Sequence, residues 1–243
     1  MLTKIRGALM REQFHPGPLG ALVNPFYFAR KGLVDAIAGL APRLGGKVLD
    51  VGCGSKPYRE LFSATEYVGL DVEQSGHDHR HEDVDVVYDG KTFPFADGIF
   101  DSVVCFQVLE HVFDPPRFLD EIARVLRPDG MLLLTVPFVW DEHEQPYDYA
   151  RYSSFGLRHL LGEHGFAVLH AAKSCPDVRT LFQLVNAYSF KIVAPTSRLA
   201  ALGSLCLTAP VTLAGLVAYR LMPTNLDLYL DNIILAHKPR MGP

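Results

Sequence analysis

Residues 48–54, which read VLDVGCG, decide the fold. Their aliphatic and β-branched start predicts a buried strand, and the two glycines that follow predict a tight turn. Working outward from this stretch, short apolar runs alternate with segments of helical periodicity, and the last apolar run falls within residues 227–239. This alternation predicts an α/β fold with a doubly wound, mostly parallel sheet and helices on both faces.

The composition is that of a globular protein with one main domain. The chain has 243 residues, of which 49% are apolar, and a formal net charge of −4. This charge argues against a nucleic-acid partner, since nucleic-acid binding usually needs a basic face. The four cysteines form no CxxC pair, which argues against a zinc ribbon and favours a reducing compartment. The N-terminal residues contain no apolar run long enough for a signal peptide, so we expect a cytoplasmic location.

Four segments are expected along the chain. They are an N-terminal lid or helix segment at 1–44, a ligand-binding core at 45–174, an apolar helical insertion at 175–226, and the final strand and tail at 227–243. The insertion separates the sixth strand from the seventh.

The turn after the first strand is a candidate nucleotide site. In open α/β sheets, ligands bind beyond the carboxyl ends of the strands, and glycines let the backbone approach them closely. Pro57 occupies the position of the third glycine in the dinucleotide fingerprint, which argues against NAD. Asp71 ends the second strand, where a carboxylate can accept hydrogen bonds from both ribose hydroxyls of a nucleoside. An ordinary turn and a solvated loop acid are the alternatives.

Four motifs in order resemble those of class I S-adenosylmethionine (SAM)-dependent methyltransferases. They are VLDVGCG at 48–54, GLDV at 69–72, FPFADGIFDSVVCFQVLEHV at 93–112 and LRPDGMLLLTVP at 126–137. More narrowly, the chain looks like the methyltransferase-11 type of small-molecule, quinone and glycan pathways. The resemblance covers about residues 45–172 plus the last strand. It implies a Rossmann-like sheet of seven strands with the last strand antiparallel, and SAM as the cofactor.

The resemblance also implies roles for matching positions at the strand ends. The implied cofactor-binding residues are Asp50, Gly52, Cys53, Gly54, Asp71, Asp89, Gly90, Gln107 and Val108. The first four would line the methionine and ribose part, Asp71 would hold the ribose hydroxyls, and Asp89 with Gly90 would face the adenine. The last two would form the floor of the pocket. Glu110 and His111 belong to the LEHV motif, which borders the reaction centre in relatives.

Residues 140–152, WDEHEQPYDYARY, follow the fifth strand on the ligand side of the sheet. This run resembles a stretch of methyltransferases encoded with glycan-assembly enzymes. His143 could act as the general base on an acceptor hydroxyl, because the pKa of an imidazole lies near 6.5, and Asp148 could orient it. His111 is the second candidate for the base. An exposed polar loop is the alternative.

Further side chains could hold the acceptor. The candidates are Tyr147, Tyr149, Tyr152, Arg151 and Tyr27. The three loop tyrosines could stack on a sugar or another ring, and Arg151 could bind an anionic group. Arg151 could equally pair with Asp148 in a structural role. The tyrosine of the N-terminal helix could reach the site, and simple packing of that helix is the alternative.

Residues 77–83, HDHRHED, contain groups that can ligate metals. They lack a helical i, i+4 frame and a defined second shell. We therefore expect no metal.

The insertion contains a run without charged residues from Leu199 to Tyr219, with an arginine on each side. A single membrane span here would place the seventh strand on the opposite side of the bilayer from the other strands, so we expect none. A helical hairpin broken near Pro210 is expected instead. It would pack on its own domain, form a homodimer, or contact the cytoplasmic face of a membrane peripherally through residues 181–222.

Taken together, the sequence predicts a SAM-dependent methyltransferase that methylates a hydroxyl of a glycan or a lipid-linked glycan precursor, with a histidine base. A methyltransferase of a quinone or another lipophilic small molecule is the first alternative. A non-enzymatic SAM-binding protein is the second.

Overall fold

The computed structural model describes residues 11–73, 83–194 and 197–240. The chain divides into two compact units. One comprises residues 37–172 and 232–243 and holds nearly all of the sheet, and the other comprises residues 1–36 and 173–231 and is largely helical. Most of the histidine-rich run at 77–83, for which we expect no metal, lies outside the described residues.

Seven strands form one sheet. Their bounds are β1 Gly45–Val51, β2 Ser63–Val72, β3 Val86–Tyr88, β4 Phe100–Phe106, β5 Leu126–Pro137, β6 Ala167–Lys173 and β7 Asp231–His237. Their order is β3-β2-β1-β4-β5-β7-β6, and the first five in this order pair in parallel. β7 is antiparallel to β5. Two hydrogen bonds show this direction: the amide of Asp129 donates to the carbonyl of Lys238, and the amide of Lys238 donates to the carbonyl of Gly130. The predicted Rossmann-like class, with an antiparallel last strand, is confirmed.

The strand order places the candidate site. The chain proceeds outward from β1 to β2 and β3 on one side, and then returns to β4 on the other side of β1. This reversal leaves a crevice outside the carboxyl ends of β1 and β4, where ligands bind in sheets of this kind. Val103, Val104 and Leu133 in the neighbouring central strands have no exposed surface. The site therefore lies on a rigid, fully buried support.

The described helices are α1 Gly20–Val23, α2 Tyr27–Leu40, α3 Pro115–Val125, α4 Ser154–Glu163, α5 Arg179–Val193 and α6 Arg198–Leu221. The carboxylate of Asp114 accepts a hydrogen bond from the third backbone amide after it and caps α3, while Ser153 caps α4. α3 ends at Val125. Leu126 already has an extended backbone (ψ 134°) and begins β5.

The insertion folds as a hairpin of α5 and α6, which pack against each other. The expected break near Pro210 is wrong, since α6 continues through this residue. Pro210 lies on the exposed side of α6, and its missing N–H removes one hydrogen bond of the helix. Within the part of the chain that the structure describes, Leu202–Leu221 is the one helical stretch long and apolar enough to cross a membrane.

Candidate functional site

The turn after β1 presents its backbone at the edge of the sheet. Gly52 and Gly54 have φ angles of +69° and +47°, a region that favours glycine. A Cβ on Gly52 would lie 2.3 Å from Cγ2 of Val108, so no larger residue fits there. A Cβ on Gly54 would meet no described atom within 4 Å. The turn is thus packed at its first glycine and open at its second, where a ligand can approach the main chain.

Asp71 lies beside this turn at the end of β2. Its carboxylate accepts hydrogen bonds from the amide of Gly54 (2.9 Å) and from the amide of Val72 (2.8 Å). Cys53 is 3% exposed, and its amide donates to the carbonyl of Leu70. These bonds hold the turn and the end of β2 together, with an acidic acceptor between them.

Asp50 is buried beneath the turn. It is 3% exposed, and its Oδ2 accepts a hydrogen bond of 2.7 Å from the hydroxyl of Tyr67. Burial, together with the charge of Asp71, raises the pKa of Asp50 to about 7. Tyr67 was not predicted. The strand register explains the contact. Asp50 lies opposite Gly69 on β2, and Tyr67, two positions before Gly69, points to the same face of the sheet.

A buried lysine also escaped the sequence analysis. The side chain of Lys56 is 2% exposed, and its Nζ lies 2.7 Å from the carboxylate of Asp85. Asp85 also accepts a 2.6 Å bond from the amide of Gly69. Burial opposes ionisation, but these two donors lower the pKa of Asp85 below its usual value. A lysine after a glycine turn looks like a surface residue in a sequence, and only the fold shows that it joins two loops of the site.

Asp89 and Gly90 form a compact turn after β3. The carboxylate of Asp89 accepts bonds from the amides of Lys91 (2.9 Å) and Thr92 (3.0 Å), and these bonds lower the pKa of Asp89. Gly90 has a φ of +74°, and a Cβ there would lie 3.7 Å from Cγ1 of Val72. This turn therefore lies directly beside the end of β2.

Gln107 and Val108 follow β4. Gln107 has a φ of +58°, and its side-chain amide donates to the hydroxyl of Thr135 on β5 (3.1 Å). Val108 lies against Gly52, as described above. The two residues close the crevice between β1 and β4.

These strand ends fit SAM chemically. Its ribose offers two hydroxyl donors, which match the carboxylate of Asp71. Its methionine part needs a close approach to the main chain, which the open backbone at Gly54 allows. Its adenine carries an amine donor, and Asp89 offers a carboxylate at the neighbouring strand end. The roles assigned to these side chains remain predictions.

His111 lies in the short turn Leu109–His111 after β4. Its Nδ1 lies 2.8 Å from the carbonyl of Tyr147. A carbonyl only accepts, so Nδ1 donates this bond. Glu110 is fully buried, and its carbonyl accepts a 2.8 Å bond from the amide of Tyr149. These contacts fix the loop at 138–153 to the end of β4.

His143 is held in the same tautomer. Its Nδ1 lies 3.2 Å from the carbonyl of Asp141 and 3.3 Å from Oδ2 of Asp148. These two acceptors lie slightly closer than the donor Nη2 of Arg151 at 3.4 Å, which favours the tautomer with the proton on Nδ1. Burial and the neighbouring His111 lower the pKa of His143, so the ring is neutral at pH 7. Asp148 is thus placed to orient the ring.

Arg151 is engaged by the loop itself. Its Nη1 and Nη2 donate to the two carboxylate oxygens of Asp148 at 2.6 and 2.7 Å, and Nη2 also donates to the carbonyl of Asp141. Burial alone would raise the pKa of Asp148, but the bonds from Arg151 and the amide of His143 lower it to about 2. This geometry favours the structural alternative for Arg151 over the binding of an anionic substrate group.

The two imidazoles meet although they are far apart in sequence. The rings of His111 and His143 pack edge to face with 4.7 Å between centroids. Together with Glu110 they bring three atoms that can ligate a metal within 4.8 Å of one another. Nε2 of His111 lies 3.5 Å from Oε2 of Glu144 and 3.8 Å from Oε1 of Glu110. Carboxylates therefore surround the histidine pair on the side of Nε2.

Aromatic side chains border the histidine pair. Tyr149 is 45% exposed and packs edge to face on Phe113, with 5.2 Å between centroids. Tyr147 is also exposed, whereas Tyr152 is half-buried and burial raises its pKa to about 12. Phe113 was not predicted, because its 82% exposure is visible only in the structure. The exposed rings offer an apolar platform to an acceptor.

Tyr27 begins α2 in the helical unit. It is 8% exposed and packs edge to face on Phe28, with 5.5 Å between centroids. Burial raises the pKa of its hydroxyl. This burial agrees with simple packing of the helix, which is the alternative to a role of Tyr27 in substrate binding.

Comparisons with known proteins agree with this geometry. The model of a methyltransferase domain family matches residues 26–171, more than half of the chain. A probable S-adenosylmethionine-dependent methyltransferase of Mycolicibacterium smegmatis is 37% identical over 105 residues, covering 40% of this chain and 41% of the relative. A ubiquinone biosynthesis O-methyltransferase of Paracidovorax citrulli is 30% identical over 128 residues, covering 46% and 50%. The chain thus spans about two fifths to one half of the length of these relatives.

A solved structure shares the fold. The phosphoethanolamine N-methyltransferase 2 of Haemonchus contortus, in complex with SAM, superposes with a TM-score of 0.54 at 19% identity. The match covers 94% of this chain and 59% of that chain. The relative from Mycolicibacterium smegmatis, which is named as S-adenosylmethionine-dependent, agrees with SAM as the expected cofactor. The strand-end geometry and the family match lead to one conclusion: the chain belongs to the methyltransferase domain family.

Proposed function

We propose that the protein transfers a methyl group from SAM to a hydroxyl of a glycan or a lipid-linked glycan precursor, with His143 as the base. One observation carries the proposal. His143 is held neutral, with Nδ1 backed by Asp148 and the carbonyl of Asp141, so that Nε2 presents a lone pair. A neutral imidazole with an oriented lone pair is the usual acceptor of a hydroxyl proton.

The residues of the chain have distinct tasks in this reaction. When bound, SAM would supply an electrophilic methyl group, whose bond to sulfur breaks so that S-adenosylhomocysteine is left. Nε2 of His143 accepts the proton of the acceptor hydroxyl as the oxygen forms its new bond to carbon. Asp148 stays ionised because its pKa is about 2, and its charge stabilises the imidazolium that results. His111, which has the same tautomer, is the second candidate for the base.

The surroundings of the pair support a sugar acceptor. The exposed rings of Phe113 and Tyr149 offer an apolar face of the kind on which a sugar ring can lie. The loop that carries His143 also resembles loops of methyltransferases encoded with glycan-assembly enzymes. Both features concern the acceptor only and leave the methyl transfer itself unchanged.

A second acceptor class is favoured by one relative. The ubiquinone biosynthesis O-methyltransferase of Paracidovorax citrulli is 30% identical over 128 residues. A phenolic hydroxyl on a lipophilic ring would use the same base and the same aromatic platform. A quinol is therefore the alternative acceptor.

The test measures S-adenosylhomocysteine formation with two lipid fractions, one of lipid-linked glycans and one of quinols. We expect turnover with the glycan fraction, and the quinol fraction serves as the alternative. His143→Asn should lower kcat at least ~100-fold and leave SAM affinity unchanged, because the base acts only in the transition state. Addition of EDTA should leave turnover unchanged.

His164→Asn is the matched control, because His164 also pairs with an aspartate, Asp120, at 2.6 Å but on another surface of the same unit. It should retain full turnover. Near-normal turnover of His143→Asn would exclude His143 as the base. Turnover with neither fraction, at intact SAM binding, would favour the non-enzymatic alternative.

A further inference from the structure

The hairpin of α5 and α6 has polar residues inside. Among the side chains that the structure describes in these helices, those with at most 2% exposure are Thr180, Gln183, Asn186, Ser204, Thr208 and Thr212. In a helix of a water-soluble protein, the buried stripe is apolar and the polar residues face solvent. Here that arrangement is reversed.

The exposed side of the same helices is apolar. On α5, Leu181, Val185, Tyr188 and Ile192 recur at helical spacing and are 50–70% exposed. Their spacing places them on one stripe along the whole helix. Water is a poor environment for four large apolar side chains in a row.

α6 presents the same pattern. Leu202, Leu207, Leu213 and Val217 are 47–65% exposed, and Leu202–Leu221 is only 22% buried. The buried positions between them carry small or hydroxylated residues. α6 has 24 residues and is therefore about 36 Å long. Exposed apolar residues thus occur along both of these adjacent helices.

Contacts inside the hairpin are those of helices that pack in lipid. Nδ2 of Asn186 donates to the hydroxyl of Thr212 at 2.8 Å, and this hydroxyl donates to the carbonyl of Thr208 at 3.1 Å. A Cβ on Gly215 would lie 2.9 Å from the ring of Phe182, so the helices approach closely there. In membranes, small residues and side-chain hydrogen bonds join helices, while apolar residues face the lipid.

Charges of one sign occur at the ends of the hairpin. Between Asp177 and Asp227 the sequence contains no acidic residue, while Lys191 lies in the last turn of α5 and Arg220 in the last turn of α6. Cations at the ends of apolar helices reach the headgroups of a bilayer and are attracted by anionic lipids. A second copy of the chain would instead bring positive charges close to positive charges, and these repel each other.

The hairpin begins and ends at one place. The amide of Ser174 donates to the carbonyl of Asp231 at 2.9 Å, and the hydroxyl of Ser174 donates to the carboxylate of Asp231 at 2.5 Å. Both ends of the insertion therefore lie on the same side of any surface that the hairpin meets. This agrees with peripheral contact and not with a single span.

We propose that the exposed apolar face of α5 and α6 docks onto a lipid bilayer that contains anionic lipid. The face lies in the interfacial layer, with the polar contacts between the helices kept away from lipid. This proposal goes beyond the proposed function and does not depend on the acceptor or on the base.

The test is flotation of the full-length protein with vesicles of phosphatidylcholine, with and without phosphatidylglycerol. We expect the protein to float with both and at least about tenfold more with the anionic vesicles. The variant Leu213→Glu with Val217→Glu should lose at least about tenfold of its vesicle-bound fraction. Leu169→Glu is the matched control, because Leu169 is 48% exposed on β6 of the other unit, and it should float like the unchanged protein.

Two results would overturn the proposal. One is a protein that stays in the soluble fraction with every vesicle. The other is a double variant that floats like the control. The oligomeric state then shows what covers the face. If neither protein floats, and the unchanged protein is a dimer while the double variant is a monomer, a second copy of the chain covers the face. The lipid proposal is then wrong. Circular dichroism of each variant shows whether it is folded, and S-adenosylhomocysteine formation shows separately whether methyl transfer is intact.

Discussion

Asp50 and Asp148 show how the environment sets the charge of one residue type. Asp50 has a single hydroxyl donor in a fully buried position, and burial raises its pKa to about 7. Asp148 is also nearly buried, but a guanidinium and a backbone amide lower its pKa to about 2. At pH 7 the first carboxyl is therefore partly protonated, while the second is a permanent anion beside His143.

The first prediction at the residue scale concerns Asp50→Asn. The pKa of Asp50 is about 7 in the folded chain and about 3.9 in the unfolded chain, so the folded state binds more protons between these values. The free energy of unfolding must then fall as pH rises from about 4 to about 7, by up to ~4 kcal/mol from this group. Asn cannot ionise and still accepts from Tyr67.

Thermal unfolding at pH 5 and pH 8 checks this expectation. The unchanged protein should lose more stability between the two pH values than Asp50→Asn does. Asp35→Asn, at an exposed aspartate whose salt bridge is with Lys31, is the control and should follow the unchanged protein. Parallel curves for all three would show that Asp50 does not have a raised pKa.

At the scale of elements, the helix caps form from local residues, whereas the polar contacts inside the hairpin form between helices. Asp114 and Ser153 act within their own turns, so a few residues decide where α3 and α4 begin. The bond between Asn186 and Thr212 instead joins two helices and exists only when they pack. Stability of the hairpin therefore depends on a polar contact between helices.

A double-mutant cycle tests that contact. Thr212→Val leaves the buried amide of Asn186 without its partner and should cost about 1–3 kcal/mol. Asn186→Leu combined with Thr212→Val removes both groups and should cost less than the sum of the single changes. Hydrogen exchange of the hairpin amides measures the effect. Thr224→Val, at an exposed position, is the control, and purely additive costs would argue against the bond.

At the scale of the whole molecule, cofactor binding and stability are linked. A ligand that binds only the folded chain stabilises it by about 2.7 kcal/mol at a concentration 100 times its Kd. SAM contacts are expected from the sheet unit alone, since Gly54, Asp71 and Asp89 all lie within residues 37–172. The sheet unit should therefore gain most of the protection.

Asp71→Ala tests this linkage. Loss of the charged acceptor should weaken SAM binding by about 1.5–3 kcal/mol, the range for hydrogen bonds to a charged group. Calorimetry measures the affinity directly, and the rise in Tm with SAM should shrink in parallel. Glu66→Ala, at an exposed acid on the same strand, should bind SAM normally. Unchanged affinity of Asp71→Ala would contradict the assigned role of Asp71.

Much of the fold followed from the sequence by itself. The order of strands and helices, the glycine turn after β1 and the helix caps depend on residues close together in the chain, so periodicity and turn chemistry reveal them. The family motifs likewise lie within short stretches.

Only the tertiary structure decided which distant residues meet. It brings His111 beside His143, buries Lys56 against Asp85, and turns the guanidinium of Arg151 to Asp148. It also shows that the insertion buries its polar residues. An apolar run in the sequence does not by itself distinguish a core helix from a lipid-facing helix. Such contacts depend on how loops and helices pack in three dimensions, and local sequence patterns do not encode that packing.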